Sequence, residues 1–431
     1  MRNNNITFCI NTAKNEINHI KLLFRSLELN LSRKDYEILV FVNGGKYTRE
    51  TFEWLSTKKS TLPGLKILRN KFDVGFEYAR NINEMFKLAS NEIVSYLHSD
   101  MVVCKNYDLE VLKHLEKNMI LSSTRIEPPL HGNSGEKFTY DFGVDPTKFD
   151  LEAFTQYAES KKQDKITDYF FAPFTLYKDT WNSIGGHDTL FRRSREDSDI
   201  LTRLVLNGTS IKQTWSAIAY HFTCTSSRGL NWFDVNNKEA QLRVKIQQQA
   251  DRIEIAKFIR KWGSFSHSTD KVRFYRISAE IIGNINNIDL FLAIEPFFNK
   301  IYMEDSITAI NLYNNMINES QIPANELLGY DKSSWEEFGY LCNMESTDKI
   351  APIKESYCDD ILVKFDINNL TQSDIMDFIY QIQEIIGTIE DPGVYEFGPF
   401  TITTNSLIDR ASDNIIIKNP EVKKEHMYEI Y

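Results

Sequence analysis

The first hundred residues alternate strand-type and helix-type segments four times over, and few folds accommodate that pattern. Ile6 to Ile10 is a short apolar run, and Asn18 to Leu29 follows with Ile20, Leu23, Phe24 and Leu27 at helical spacing. Tyr36 to Val42 reads as a second buried strand closed by Asn43-Gly44-Gly45, and Arg49 to Ser56 as a helix with Thr48 near its cap. Leu65 to Leu68 is a third strand, Gly75 to Ala89 a third helix, and Glu92 to Leu97 a fourth strand ending at His98-Ser99-Asp100. Such an order predicts a mostly parallel sheet covered by helices. Ligands of these sheets sit at the carboxyl ends of the strands. There the chain places Asn11-Thr12-Ala13-Lys14-Asn15-Glu16, Asn43-Gly44-Gly45, Arg69-Asn70-Lys71 and His98-Ser99-Asp100, so one rim collects hydrogen-bonding groups and carboxylates.

Several classes drop out. No Gly-x-Gly-x-x-Gly opens the first helix and no Gly-x-x-x-x-Gly-Lys-Ser/Thr occurs, which removes dinucleotide-binding and P-loop readings. A nucleotidyltransferase needs a glycine-rich phosphate loop after its first strand, and Asn11 to Glu16 has no glycine. With 50 Lys plus Arg against 60 Asp plus Glu, the net charge of −10 rules out a basic coat for phosphate backbones. The 431 residues suffice for two or three domains. Cys9, Cys104, Cys224, Cys342 and Cys358 are odd in number and lack paired zinc spacing, which predicts reduced thiols in a cytoplasmic chain. The segment after Met1 is too short for a secretory apolar region. Ile288 to Phe298 is interrupted by Asp289 and Glu295, so no membrane span is expected.

The rim segments have a recognisable order. Asn15-Glu16 follows the first strand, Tyr36 to Gly45 holds the second, and Asn70-Lys71-Phe72-Asp73-Val74-Gly75 leads to Ala79-Arg80-Asn81. Leu97-His98-Ser99-Asp100-Met101 closes the fourth strand. Together, roughly the first 230 residues resemble the family-2-type glycosyltransferases of the GT-A fold, nucleotide-sugar-dependent enzymes with a mixed, mostly parallel sheet flanked by helices. The resemblance implies donor contacts from Thr12, Asn15, Asn43, Arg80, His98 and Ser99. Asn43 stands where the family usually has Asp, and its amide offers both donors and an acceptor to a base edge. Arg80 can engage diphosphate oxygens as a fork. His98-Ser99-Asp100 occupies the place of the family's Asp-x-Asp motif, with His98 replacing the first Asp and Asp100 matching the metal-binding one. His221, in Ala219-Tyr220-His221-Phe222, resembles the histidine that closes the metal site, implying Mn²⁺ or Mg²⁺ at Asp100 and His221.

A second pair of segments resembles those of inverting GT-A enzymes: Gly185-Gly186-His187-Asp188 and Arg195-Glu196-Asp197-Ser198-Asp199. Ser194 to Gly208 reads as a helix with Ile200, Leu201, Leu204 and Val205 on its buried stripe and the acidic residues in its first turn. By the family pattern Asp197 is the catalytic base and Glu196 contacts the acceptor hydroxyl, while Asp199 points elsewhere. The double glycine is expected to let backbone approach a ligand, Trp181 to be a sugar-stacking ring or a core residue, and Arg228 to reach the diphosphate from a lid over 223–229.

Beyond about Asn231 the resemblance stops. Lys238 to Trp262 is a basic helical stretch, Val272 to Ile317 continues with helical periodicity, and Ile361 to Ile367, Ser373 to Thr388 and Val394 to Thr404 read as strand, helix and strand. The expected organisation is a GT-A domain over 1–235, a helical region over 236–330 and a small α+β module over 331–431. The expected activity is inverting transfer from a nucleotide-diphosphate sugar, with UDP as the donor nucleotide, to a glycan or glycosylated protein. Two alternatives stand beside it: glycosylation of a modified nucleobase in DNA, served by the basic helix, and a degenerate sugar-nucleotide-binding protein, since His98 and Asn43 depart from the pattern.

Overall fold

Residues 5–12, 17–42, 49–70, 78–132, 134–192, 194–223, 234–265, 272–315, 349–419 and 428–431 are described in a computed structural model. The chain forms two compact units, one built from 1–247 with 416–431 and the other from 248–415.

In the first unit the expected alternation appears as β1 (Ile6–Thr12), α1 (Ile17–Asn30), β2 (Glu37–Val42), α2 (Arg49–Lys58), β3 (Leu65–Asn70), α3 (Tyr78–Leu88) and β4 (Ile93–His98). Every residue of β1 is buried, as a central parallel strand covered on both faces requires. α1 turns Ile20, Leu23, Phe24 and Leu27 into the same core. After β4 come β5 (Met101–Val103), α4 (Tyr107–His114), β6 (Met119–Glu127), β7 (Lys137–Thr139), α5 (Leu151–Lys161), β8 (Ile166–Thr167), β9 (Phe174–Tyr177), α6 (Lys178–Asn182), α7 (Glu196–Leu206) and β10 (Ser210–His221). The sheet runs β3-β2-β1-β4-β9-β6-β10-β5, with β1 to β4 parallel and β9 antiparallel to both of its neighbours. It is a mixed α/β sheet flanked by helices.

Two features of the pairing build the functional rim. β1 and β4 pair with Asn11 opposite His98, which brings two strand ends level. β10 runs parallel to β6, its register breaks between Thr214 and Ile218, and its final residues pair antiparallel with β5, His221 opposite Met101. A bulge of this kind re-aims the residues beyond it. The Phe222 amide then donates to the Asp100 carbonyl at 3.1 Å, so two segments far apart in sequence meet at one turn. A further strand, β17 (Tyr428–Ile430), pairs antiparallel with β3 and covers that edge of the sheet.

The second unit is a smaller sheet. β11 (Ile277–Ile282), β12 (Lys300–Met303), β13 (Ile350–Pro352) and β14 (Ile361–Asp366) are parallel, and β15 (Gly393–Phe397) and β16 (Phe400–Thr404) add antiparallel strands beside β14. The helical periodicity read over Val272 to Ile317 is therefore corrected: β11 and β12 lie inside it, flanking the short helix Ile288–Ile294. Fully buried strands carry apolar residues on both faces, and a run such as Ile-Ser-Ala-Glu-Ile-Ile does not distinguish strand from helix by period. The strand read over Val394 to Thr404 is the β15–β16 hairpin, while the helix before it, Gln372–Thr388, matches the reading closely. That helix starts on a capping box between Thr371 and Asp374. The basic stretch Lys238–Trp262 is helical, but Lys257 is buried against Glu254 at 2.9 Å and Arg260 is bonded to Glu295. Lys349 also reaches Glu295 at 2.6 Å, and these cations hold the buried Glu295 carboxyl down to about 2 against the upward push of burial.

Candidate active site

His98, Ser99 and Asp100 form the turn between β4 and β5, and His221 ends β10 beside them. Potential ligand atoms of His98, Asp100 and His221 all lie within 4.8 Å of one another, and His221 Nε2 is 3.8 Å from Asp100 Oδ1. Ligand atoms held at about 2.1 Å from a common ion are roughly 3–4.2 Å apart, so a small inward movement would let the three share one divalent ion. Two imidazoles and a carboxylate are a donor set suited to a first-row transition ion such as Mn²⁺. His98, expected on the donor, thus lies with the metal-type residues. Burial drives its imidazole down to about 4 despite the nearby Asp100 and Asp197 carboxylates, so the ring is neutral near pH 7, the form in which histidine ligates.

The orientation of His221 is set from behind. Its Nδ1 is 2.9 Å from Glu127 Oε1, and a carboxylate can only accept, so Nδ1 carries the hydrogen and Nε2 is the nitrogen that faces Asp100. Glu127 is itself fixed: Arg125 donates to Oε1 at 2.6 Å and Lys137 to Oε2 at 2.6 Å. Burial would raise this carboxyl, but the His221 hydrogen bond and the two cations hold it well below the usual carboxylate range. Arg125 lies 3.7 Å over the Phe171 ring, whose centroid is 6.3 Å from that of His221.

Helix α7 brings the second group. Glu196 and Asp197 occupy its first turn, where the positive helix end favours carboxylates. Asp197 Oδ1 accepts from the Ser198 amide at 2.6 Å. Both carboxylates lie within electrostatic reach of the β4 rim: burial raises the Tyr96 phenol, and Glu196, Asp100 and Asp197 raise it further. Asp199 faces away and forms a fully buried ion pair with Arg203 at 2.8 Å. Left-handed backbone flanks the site at two non-glycine residues, Arg195 (φ 70°) immediately before Glu196 and Thr223 (φ 50°) two residues after His221. Such conformations cost on the order of 1–3 kcal/mol each and concentrate at functional sites.

Of the expected donor contacts, Thr12 is buried at the end of β1 and Ser99 is buried in the β4–β5 turn. Arg80, near the start of α3, donates to Asn70 Oδ1 at 2.6 Å, while Glu84 takes Lys87 and Tyr428. Asn15, Asn43 and Arg228 lie outside the described residues. Trp181 is a core ring: it is buried, edge-on to Phe86, and its indole N–H donates to His187 Nδ1 at 3.1 Å. The close approach that the double glycine permits is to the protein itself. A Cβ on Gly186 would sit 2.4 Å from the Trp181 ring, and one on Gly185 would sit 2.2 Å from the Ile417 carbonyl oxygen. Glu127, Arg125 and Lys137 were missed by the sequence reading. The signal was present in Thr-Arg-Ile-Glu-Pro-Pro, where β6 ends in charged residues just as the earlier strands end in polar ones.

Residues 9–180 match the family model described as glycosyl transferase family 2. Over that stretch the chain is similar to the family 2 glycosyltransferases. Among solved structures it is similar to GalNAc-T7 with UDP, GalNAc and Mn²⁺ (13% identity over 62% of this chain and 56% of that one, TM-score 0.39). It is also similar to the mannosyltransferase PcManGT from Pyrobaculum calidifontis in complex with GDP-Man and Mn²⁺ (14%, 59% and 64%, TM-score 0.38). A third is S. aureus TarS 1–349 in complex with UDP (12%, 93% and 97%, TM-score 0.39). The chain covers less than two thirds of the length of the first two. No curated protein matches it. The glycosyltransferase family match ends before α7 and β10, so Glu196, Asp197 and His221 are carried by geometry alone. No helix among the described residues is long and apolar enough to cross a membrane.

Proposed function

We propose that this glycosyltransferase moves a sugar, with inversion, from a nucleotide-diphosphate donor of the UDP-sugar class to a hydroxyl of a glycan or glycosylated protein. The observation that carries the reading is the convergence of His98, Asp100 and His221 with Asp197 within electrostatic reach of the same rim. Asp197 takes the proton of the acceptor hydroxyl and Glu196 holds that hydroxyl. The acceptor oxygen forms its bond to the anomeric carbon as the bond to the diphosphate oxygen breaks, and the leaving group departs with the electron pair. Asp100, His221 and His98 would hold a divalent ion, which would supply charge neutralisation to that diphosphate. Glu127 holds the His221 tautomer, with Arg125 and Lys137 keeping the carboxylate charged and in place. Tyr96 stays a protonated phenol among the carboxylates.

Calorimetric titration of UDP with and without Mn²⁺, on wild type and Asp100→Ala, tests the reading. The expected result is Mn²⁺-dependent UDP binding that Asp100→Ala abolishes, followed by turnover of a nucleotide-sugar that Asp197→Asn lacks. Absence of both UDP and GDP binding in wild type overturns the donor assignment, and binding without turnover of any donor leaves a sugar-nucleotide-binding protein.

A further inference from the structure

The segment 416–431 follows the entire second unit in sequence, yet it packs in the first. It grips the loop that delivers the catalytic helix. The Ile417 amide donates to the Ile184 carbonyl at 3.3 Å. Asn419 then makes four hydrogen bonds to the next few residues. Its Oδ1 accepts from the Thr189 amide at 3.0 Å and the Thr189 hydroxyl at 3.1 Å, and its Nδ2 donates to the carbonyls of Gly185 at 3.2 Å and His187 at 2.9 Å.

Asn83 of α3 grips the same loop. Its Nδ2 donates to the His187 carbonyl at 2.8 Å and its Oδ1 accepts the His187 amide at 2.9 Å, so two asparagines meet on one carbonyl. The next residue of α3, Glu84, accepts from the Tyr428 hydroxyl at 2.8 Å, and Tyr428 belongs to β17 of the same segment. Loop, α3 and segment are therefore tied pairwise. Downstream, Asp188 caps its own turn through the Leu190 and Phe191 amides, the Arg192 carbonyl accepts from Tyr78, and left-handed Arg195 leads into Glu196.

We infer that Asn419 is a positioning residue for glycosyl transfer: by fixing residues 185–189 it sets where α7 starts and where Glu196 and Asp197 point. The catalytic unit is completed by a segment encoded after the second unit. An asparagine suits the position because both halves of its amide are used, one as acceptor of two donors and the other as donor to two carbonyls. The inference rests on the assignment of Glu196 and Asp197 to the acceptor hydroxyl, and its test separates the two.

Hydrogen–deuterium exchange on the full chain compares wild type with Asn419→Ala and Asn419→Asp. The aspartate keeps the acceptor side but sets a carboxylate oxygen against two carbonyls. The expected result is exchange about 10-fold faster at Thr189 and over 196–200 in both variants, with β1, β2 and β4 unchanged. With a donor that wild type turns over, kcat falls about 100-fold while donor KM stays within about twofold, the signature of misplaced catalytic groups. Unchanged exchange over 185–200, or protection lost equally across the whole sheet, overturns the inference. A rise in donor KM at unchanged kcat overturns it as well. If wild type turns over no donor, the assignment of the transfer reaction fails, and exchange alone decides the role of Asn419.

Discussion

Glu127 Oε1 accepts the Nδ1 hydrogen of His221 at 2.9 Å, and the far nitrogen of the same ring faces Asp100 at 3.8 Å. The carboxylate acts on the metal-type residues from behind, through its bond to the His221 ring. Losing such an outer partner typically costs 10–100-fold in metal affinity, because the ring loses both its preferred tautomer and its orientation. Glu127→Gln is therefore expected to weaken Mn²⁺ binding by about 10-fold or more in calorimetry. Affinity unchanged from wild type would show that the dyad does not orient the ligand.

Asp197 and Asp199 sit two residues apart on α7 and predict opposite phenotypes. Asp199 is fully buried against Arg203, whose Nη1 also donates to the Ile184 carbonyl at 2.9 Å. Removing one partner of such a pair leaves an uncompensated charge and costs about 3–5 kcal/mol. Asp199→Asn is expected to lower stability by that amount in urea unfolding. Asp197→Asn is expected to leave stability within about 1 kcal/mol and to reduce turnover roughly 10²–10⁴-fold. A stable Asp199→Asn protein lacking turnover would exchange the two roles.

How much of this was readable beforehand depends on the range of the contact concerned. The order β1 to β4 and helix α7 were legible because burial periodicity is local, and Asp199 could be set aside because two residues on a helix turn a side chain well away from its neighbour. Glu127 was not legible: its role depends on β10 lying beside β6 and on the register break at Thr214, which no local pattern reports. Gly185 and Gly186 were read as making room for a ligand, whereas their positive φ angles and close neighbours belong to packing against Ile417 and Trp181. The return of 416–431 to the first unit left no mark in the sequence, because a three-residue edge strand carries too few side chains to form a pattern.

Acid should unfold this protein through His187. Its ring is fully enclosed, with Nδ1 taken by the Trp181 indole, and burial together with Arg203 drives its pKa down to about 3 from an ordinary 6.5, though Asp199 opposes them. Between those values the unfolded chain binds a proton that the folded one refuses. Stability from this group is thus fully present above about pH 6.5 and is lost progressively as pH falls toward 3. By pH 4 the loss is on the order of 3 kcal/mol. Urea unfolding at pH 7 and pH 4.5 should show the drop in wild type and a smaller one in His187→Gln, which does not titrate. Equal drops would assign the acid sensitivity to other groups.

The contact between Gly186 and Trp181 can be separated from backbone strain by comparing two glycines. Gly186 has φ +81° and Gly208 has φ +75°, so alanine at either position adopts the left-handed conformation at a cost of about 1–2 kcal/mol. A Cβ on Gly208 meets nothing within 4 Å, whereas one on Gly186 would lie 2.4 Å from Trp181 Cζ2 and 2.9 Å from Asn83 Oδ1. Overpacking of this kind adds about 1–3 kcal/mol, because the indole is held by Phe86 and His187 and cannot swing aside. Gly186→Ala should therefore cost roughly 2–5 kcal/mol in urea unfolding and Gly208→Ala only the backbone share. The same displacement pushes on Asn83, which holds the His187 amide, so Gly186→Ala should also speed exchange at Thr189 while Gly208→Ala leaves it unchanged. Equal costs for the two variants would mean that Trp181 yields to the added methyl, and the loop before α7 would then be held by its asparagines alone.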